Sequence, residues 1–379
     1  MSDALEAPPY GSGTLADVLP SVASLWRVPG FQDSLDLRDR DPGGAGDLPD
    51  AVTVLLVDGL GWRPWQDLRE RTPTLAAMTG GRLRTTIPST TPTALASLGT
   101  GMPPGAHGIV GAAFRVPEDD VLLHPLSWTD GPHPLATQPE PTVFERVDAA
   151  GVPVLRIGAS AYADSGLTRA VLRGGAYAGS DTADAIVDAI GGHRSGLAYA
   201  YLPDLDRTGH VHGVGSPEWR EGLLAVDELV ARIIERMDDR HLLVVTADHG
   251  MVDCPPAARV SVEGLPGFER VVTVAGEPRL RHIYVRPGET ASLRASWADA
   301  LGERAYVLDR DDALGLGLFG SMDEHYAGRI GDLVLLARGD TLLVSEVDPL
   351  VSSLLGQHGS VTEAEMEIPL LLARGSGRG

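Results

Sequence analysis

The sequence predicts an α/β protein built on a mostly parallel sheet, and three observations carry that reading. Val52–Val57 and Leu242–Thr246 are continuous apolar runs rich in β-branched residues, the pattern of strands covered on both faces. Helical patterning alternates with such runs. After Ser216, a fitting N-cap followed by Pro217 and Glu218, the residues Leu223, Val226, Val230, Ile233 and Met237 recur at three- to four-residue intervals. Third, the strand-like runs deliver aspartates at their carboxyl ends, the edge at which open α/β sheets bind ligands.

Composition narrows the function classes. The chain has 379 residues, 43% of them hydrophobic and 22% charged, enough for an ample core. Its net charge of −21 argues against a nucleic-acid polymer or an anionic membrane as partner. There is no lysine and no asparagine, so all 31 basic residues are arginine. The single cysteine, Cys254, excludes an intrachain disulfide. No basic start followed by an apolar core opens the sequence, and no apolar run approaches ~18 residues. The expectation is a cytoplasmic enzyme.

In order along the chain, residues 1–13 read as loose, Leu15–Trp26 as a short helix and Asp39–Asp50 as a linker. Val52–Val57 then ends in Asp58-Gly59. Pro64–Met78 is expected to be one helix. Arg84–Gly101 is expected to turn from loop into helix, with Thr91 as N-cap before Pro92. A hydroxyl there lies beside unpaired N–H groups and the positive end of the helix dipole, a place suited to phosphate. Pro103–Gly111 is a loop holding His107, and Arg115–Pro141 is irregular, with His124 and His133 expected at the surface. Val143–Ala150 and Thr182–Ile190 read as helices and Val152–Ile157 as a strand. Leu197–Leu202 runs into PDLDRTGHVHG, where Asp206 and His210 stand four apart and can share a metal from a loop or helical turn. Leu242–Thr246 ends in Asp248-His249-Gly250. From about Pro255 the alternation breaks down, with short strands expected at Arg270–Val274 and His282–Val285 and a helix at Ala291–Leu301. Asp332–Ala337, Thr341–Ser345 and Ile368–Ala373 resume strand-like runs around Gln357-His358-Gly359. The domain reading is therefore an N-terminal extension over 1–47, a core over 48–255 and 332–379, and a small α+β insert, or cap, over 256–331.

Asp58, Thr91, Asp206, His210, Asp248, His249 and His358 together offer three carboxylates, three imidazoles and a hydroxyl. Such N and O donors suit two zinc-like divalent ions, and a metal pair about 4 Å apart can clamp a phosphoryl group during in-line displacement.

The order V-D-G, P-x-x-T, D-x-x-x-H, T-A-D-H-G-M and H-G resembles the alkaline phosphatase superfamily, and within it the nucleotide pyrophosphatase/phosphodiesterase branch. The resemblance covers about Val52–Val252 and Gln357–Leu372. It implies an α/β/α sandwich around a mostly parallel sheet, with Asp58, Asp248, His249 and the nucleophile Thr91 on one metal and Asp206, His210 and His358 on the other. The implied cofactors are two divalent ions, Zn2+ ahead of Mn2+ or Fe. The implied activity is hydrolysis of a small-molecule phosphate ester through a phosphothreonine intermediate, as a type I phosphodiesterase or nucleotide pyrophosphatase. Two departures leave alternatives open. Thr90 precedes Thr91 and is the other candidate nucleophile. Ala112-Ala113 follow His107-Gly108-Ile109 where the phosphodiesterases carry an asparagine, which keeps a phosphomonoesterase or phosphonate hydrolase in view. A non-catalytic, metal-stabilised binding protein is the reading from another class. Cys254-Pro255-Pro256 with Arg259 is dismissed as a sulfatase motif, because its arginine is one residue too far.

Overall fold

The structure is a computed structural model that describes residues 5–44 and 46–377. Residues 1–4 of the expected loose start lie outside the described residues. Among these residues, a seven-stranded sheet runs in the order Thr79–Arg84, Glu367–Arg374, His241–Thr246, Ala51–Val57, Gly196–Leu202, Val154–Gly158 and Ala176–Gly179. The last five are mutually parallel, and Glu367–Arg374 is antiparallel to both its neighbours. Every residue of Ala51–Val57 and of His241–Thr246 is buried, as their unbroken apolar sequence requires. Helices cover the sheet, the longest being Pro217–Arg236, whose N-cap Ser216 accepts from Trp219 N at 3.1 Å. The predicted α/β class with a mostly parallel sheet is the observed one. Among the described residues, no helix is long and apolar enough to cross a membrane.

The N-terminal segment packs onto this core. Leu15, Val18, Leu19 and Val22 are fully buried within the main hydrophobic cluster.

Three expectations are corrected. Pro64–Met78 is not one helix: it divides into Trp62–Gln66, a 3-10 turn over Arg69–Arg71, and Pro73–Ala77. Thr72, directly before Pro73, is pushed out of the helical region, at φ −121 and ψ 69. The second helix is capped from afar by Asp227, whose carboxylate accepts from Leu75 N at 2.8 Å. Thr79–Arg84 is an edge strand that its glycine-rich sequence did not announce. Gly80 has φ +147, and a Cβ there would stand 2.0 Å from Leu370 O, so glycine is required where the strands touch.

The third correction concerns 332–345. Leu333–Ala337 does not return to the main sheet. It lies inside a separate sheet ordered Val271–Glu277, Leu280–Val285, Leu333–Ala337, Ala305–Asp309. Leu342–Val344 pairs with Arg259–Ser261. The small sheet has its own core, with Leu293, Trp297, Ile283, Leu333 and Leu335 buried. A boundary at 331 therefore cuts through this unit. An apolar run alone cannot say which of two sheets it joins. Arg115–Pro141 also holds a short hairpin, Phe114–Val116 with Val121–Leu123.

Candidate metal centre

Three adjacent parallel strands bring the aspartates together. Asp58 follows Ala51–Val57 directly, and Asp248 lies two residues past His241–Thr246. Asp206 is on the first turn of the helix Asp204–His212, which follows Gly196–Leu202. Gly59 lets the first and third of these meet: its φ is +73, and a Cβ on it would be 2.9 Å from Asp206 Cα. His210 is one helical turn beyond Asp206. His358 arrives from the far end of the chain, where Gly356–Gln357 pairs with Val252–Asp253.

The result is two groups of three ligands, Asp58 with Asp248 and His249, and Asp206 with His210 and His358, each with donor atoms within 4.8 Å of one another. In the first, His249 Nε2 is 3.5 Å from Asp58 Oδ1 and 3.4 Å from Asp248 Oδ2. His249 Nδ1 is 3.0 Å from Gly250 O, which directs the Nε2 lone pair inward. In the second, His210 Nε2 is 3.3 Å from Asp206 Oδ2. His210 Nδ1 meets Gly356 O at 2.7 Å and His358 Nδ1 meets Ser89 O at 3.0 Å. With both Nδ1 protons directed at carbonyls, the two Nε2 atoms face each other at 3.3 Å, lone pair toward lone pair. The His249 and His358 rings stack at 3.6 Å between centroids, joining the groups.

The electrostatics fit cations. Asp58 Oδ1, Asp206 Oδ1 and Asp248 Oδ2 are buried and find no hydrogen-bond partner among the described residues. Burial, with Asp248 and Asp206 close by, pushes the Asp58 carboxyl well above the usual carboxylate range, although Tyr201 donates to its Oδ2. Burial also raises Asp206, but the imidazoles of His210, His358 and His249 around it outweigh burial and the net shift is downward. For His210 burial acts downward and Asp206 outweighs it, giving a net rise. Burial, then the neighbouring His249, holds His358 well below the usual imidazole range. Orphaned carboxylate oxygens facing inward lone pairs are the donor set of a divalent-cation site.

Thr91 opens the helix Thr91–Thr100 but is not its cap. The N-cap is Thr90, at φ −137 and ψ 143, and Thr90 O accepts from Ala94 N at 2.9 Å. Thr91 is the first helical residue, and its Oγ1 lies 3.1 Å from His249 Nε2. Pro92 therefore occupies the position after N1, where its missing N–H is equally harmless.

Two cavities flank Thr91 and Asp206. One, of about 320 Å³, is lined by Asp58, Arg156, Tyr162, Tyr177, Tyr199 and Tyr201, among others. The other, of about 290 Å³, is lined by Thr90, His210, His358, Glu277, Ala112 and Ala113, among others. The tyrosines and Glu277 were not expected from sequence. Tyr199 and Tyr201 alternate on a strand in a way that reads only as strand, and Glu277 belongs to the other sheet. His124 is exposed at the second cavity's rim and His133 is exposed elsewhere. His107 is fully buried between Ser97 Oγ (2.8 Å) and Ile109 N (3.1 Å), and burial lowers its pKa to about 3, so it is a neutral brace.

The family model described as type I phosphodiesterase / nucleotide pyrophosphatase matches residues 52–360. Among curated proteins, the phosphopentomutase of Anaeromyxobacter dehalogenans (strain 2CP-C) is 30% identical over 130 residues, 34% of this chain and 32% of that protein. The catalytic subunit of GPI ethanolamine phosphate transferase 3 from Mus musculus is 40% identical over 52 residues, 14% of this chain and 5% of that protein. The chain thus spans about a third of the first relative and a twentieth of the second. Among solved structures, murine ectonucleotide pyrophosphatase / phosphodiesterase 5 aligns with a TM-score of 0.68 at 20% identity, covering 86% of this chain and 88% of that one. An inactive form of it in complex with AMP aligns at 0.67. Phosphonoacetate hydrolase from Sinorhizobium meliloti 1021 aligns at 0.66 with 18% identity, covering 87% and 91%. At these identities the structural likenesses show a shared fold.

Proposed function

The chain belongs to the type I phosphodiesterase / nucleotide pyrophosphatase family, and from that premise we propose that it hydrolyses a small-molecule phosphodiester with Thr91 as nucleophile. One observation carries this reading. Thr91, at the start of a ten-residue helix, lines both cavities, and its Oγ1 lies 3.1 Å from His249 Nε2. A phosphoryl group presented there has an attacking hydroxyl, helix-end N–H groups for its oxygens, and a cavity for each of two organic arms.

Asp58, Asp248 and His249 would hold one divalent ion, and Asp206, His210 and His358 would hold the other. Nitrogen and oxygen donors without sulfur suit zinc, ahead of manganese or iron. When bound, the ions polarise phosphoryl oxygens and lower the pKa of a coordinated hydroxyl. The chain's own part is as follows. Thr91 Oγ1 attacks phosphorus and one alcohol arm departs, leaving a phosphothreonine. Water then cleaves that bond and restores the hydroxyl. His249, His210 and His358 each keep an Nδ1–H donated to a backbone carbonyl, which holds each Nε2 turned inward. The tyrosine-lined cavity suits an aromatic arm, in keeping with the AMP bound by a structural relative. Because phosphonoacetate hydrolase shares the fold, cleavage of a carbon–phosphorus bond is the second reading.

The test is release of p-nitrophenol from bis-p-nitrophenyl phosphate by protein loaded with Zn2+ or Mn2+, set against p-nitrophenyl phosphate and phosphonoacetate. Faster turnover of the diester is expected. Turnover of the monoester or phosphonate alone overturns the diesterase reading, and no turnover of any favours a metal-stabilised binding protein.

A further inference from the structure

The two cavities differ in the charge of their walls. The first includes Arg156 and Arg207. Among the described residues lining the second there is no arginine, and its carboxyls are Asp206, Glu277 and Asp348. Asp206 belongs to the ligand groups, and Asp348 is held by Arg281 through two contacts of 2.6 and 2.8 Å. Glu277 shares the bases near it: Arg281, which acts on it electrostatically, is paired with Asp348, and His358 lies 3.8 Å away.

Glu277 ends the strand Val271–Glu277 of the small sheet and is 7% exposed. Its Oε1 is buried and finds no hydrogen-bond partner among the described residues. Its other neighbours are the Thr90 hydroxyl and His358 Nδ1, the latter 3.8 Å from Oε2 and already directed at Ser89 O. The loop carrying His358 is shaped around it: Gly359 has φ +128, and a Cβ there would stand 2.6 Å from Glu277 Cδ. The walls beside it are apolar, with Ala112, Ala113, Leu122 and Val274 among them. A buried carboxyl oxygen without a donor is costly in such surroundings, and a ligand that supplies a charged N–H offsets that cost.

We propose that the second cavity is the subsite for one alcohol arm of the diester, and that Glu277 makes it selective for an arm bearing an ammonium group, an amino alcohol ester. The methylenes of such an arm lie against the apolar wall and its ammonium meets the Glu277 carboxyl. An arm extended by a further phosphate meets a carboxyl instead of a cation and is disfavoured. This proposal rests on the diesterase reading above.

The experiment measures binding, so that it stands apart from turnover. Metal-loaded Thr91→Ala protein is titrated calorimetrically with methyl 2-aminoethyl phosphate and with its counterpart lacking the ammonium group, methyl propyl phosphate. The amine is expected to bind about tenfold tighter or better, the worth of one charged hydrogen bond. In the Thr91→Ala, Glu277→Gln protein the preference is expected to fall to within about twofold. Equal affinities in the first protein, or an undiminished preference in the second, overturn the proposal. Parallel weakening of both esters by Glu277→Gln also overturns it, because it makes Glu277 a support for His358 only. Failure of wild-type protein to cleave bis-p-nitrophenyl phosphate counts against the hydrolase reading and is observed independently of these affinities.

Discussion

Replacing Asp58 by Asn should stabilise the metal-free protein while removing the share of its metal-induced stabilisation that the Asp58, Asp248 and His249 group supplies. Asp58 is 3% exposed and its Oδ1 is unpartnered. Its ligand oxygen lies within 4.8 Å of that of Asp248. Two charges at that separation repel by about 3.5 kcal/mol at an effective dielectric of 20. Proton uptake caps the cost: holding a carboxyl neutral at pH 7 against an ordinary pKa near 3.9 costs about 4 kcal/mol. Asn keeps an oxygen to accept from Tyr201 and removes the charge, so a gain of about 2–3 kcal/mol is expected in chelator-treated protein, a few °C in Tm for a chain of this length. The sign of the pH dependence follows from the raised pKa of Asp58. Its contribution is fully favourable below the unfolded pKa and is lost as pH rises through the higher folded value. Apo wild type should therefore close the gap to Asp58→Asn as pH falls from 7 toward 4.5. Scanning calorimetry of both proteins, with chelator and with Zn2+, at several pH values, makes the measurement. An apo Asp58→Asn protein less stable than apo wild type, or one that keeps the full metal-induced shift, refutes the uncompensated-carboxylate argument.

Elemental analysis after chelation and reconstitution should find two divalent ions per chain in wild type and about one in His358→Ala, since only the second group loses a ligand. Thr91→Ala should lower kcat by about 10³-fold or more at unchanged metal content, and Thr90→Ala by far less; the reverse order would move the nucleophile one residue back. Tyr201→Phe removes the donor to Asp58 Oδ2 and should weaken one metal site by about 10–100-fold in competition titrations with a chromophoric chelator. Gly59→Ala, strained at φ +73 and crowding the Asp206 backbone, should cost about 1–3 kcal/mol in denaturant unfolding of the apo protein and weaken metal binding as well.

Much of the site was legible in the chain because its parts are local. An aspartate after a buried apolar run, an aspartate and histidine one helical turn apart, and Asp-His-Gly after another strand each announce themselves over a few residues. Their division into two groups came from the family resemblance, and the structure draws the same residues into two clusters with donor atoms within 4.8 Å of one another. What the sequence could not carry is everything decided by approach between distant segments. Thr91, read as a cap, proved to be the first helical residue, because cap assignment depends on the φ and ψ of Thr90. Pro73–Ala77 is capped by Asp227, more than 150 residues away. The strand Thr79–Arg84 exists because Glu367–Arg374 lies beside it, and only a glycine can meet Leu370 O there. Leu333–Ala337 reads the same whichever sheet it joins, and tertiary packing placed it in the small sheet whose edge strand ends in Glu277. The ligands are thus written in short-range patterns, whereas the walls of the two cavities, Tyr201 on one side and Glu277 on the other, acquire their meaning only when separate sheets close on Thr91.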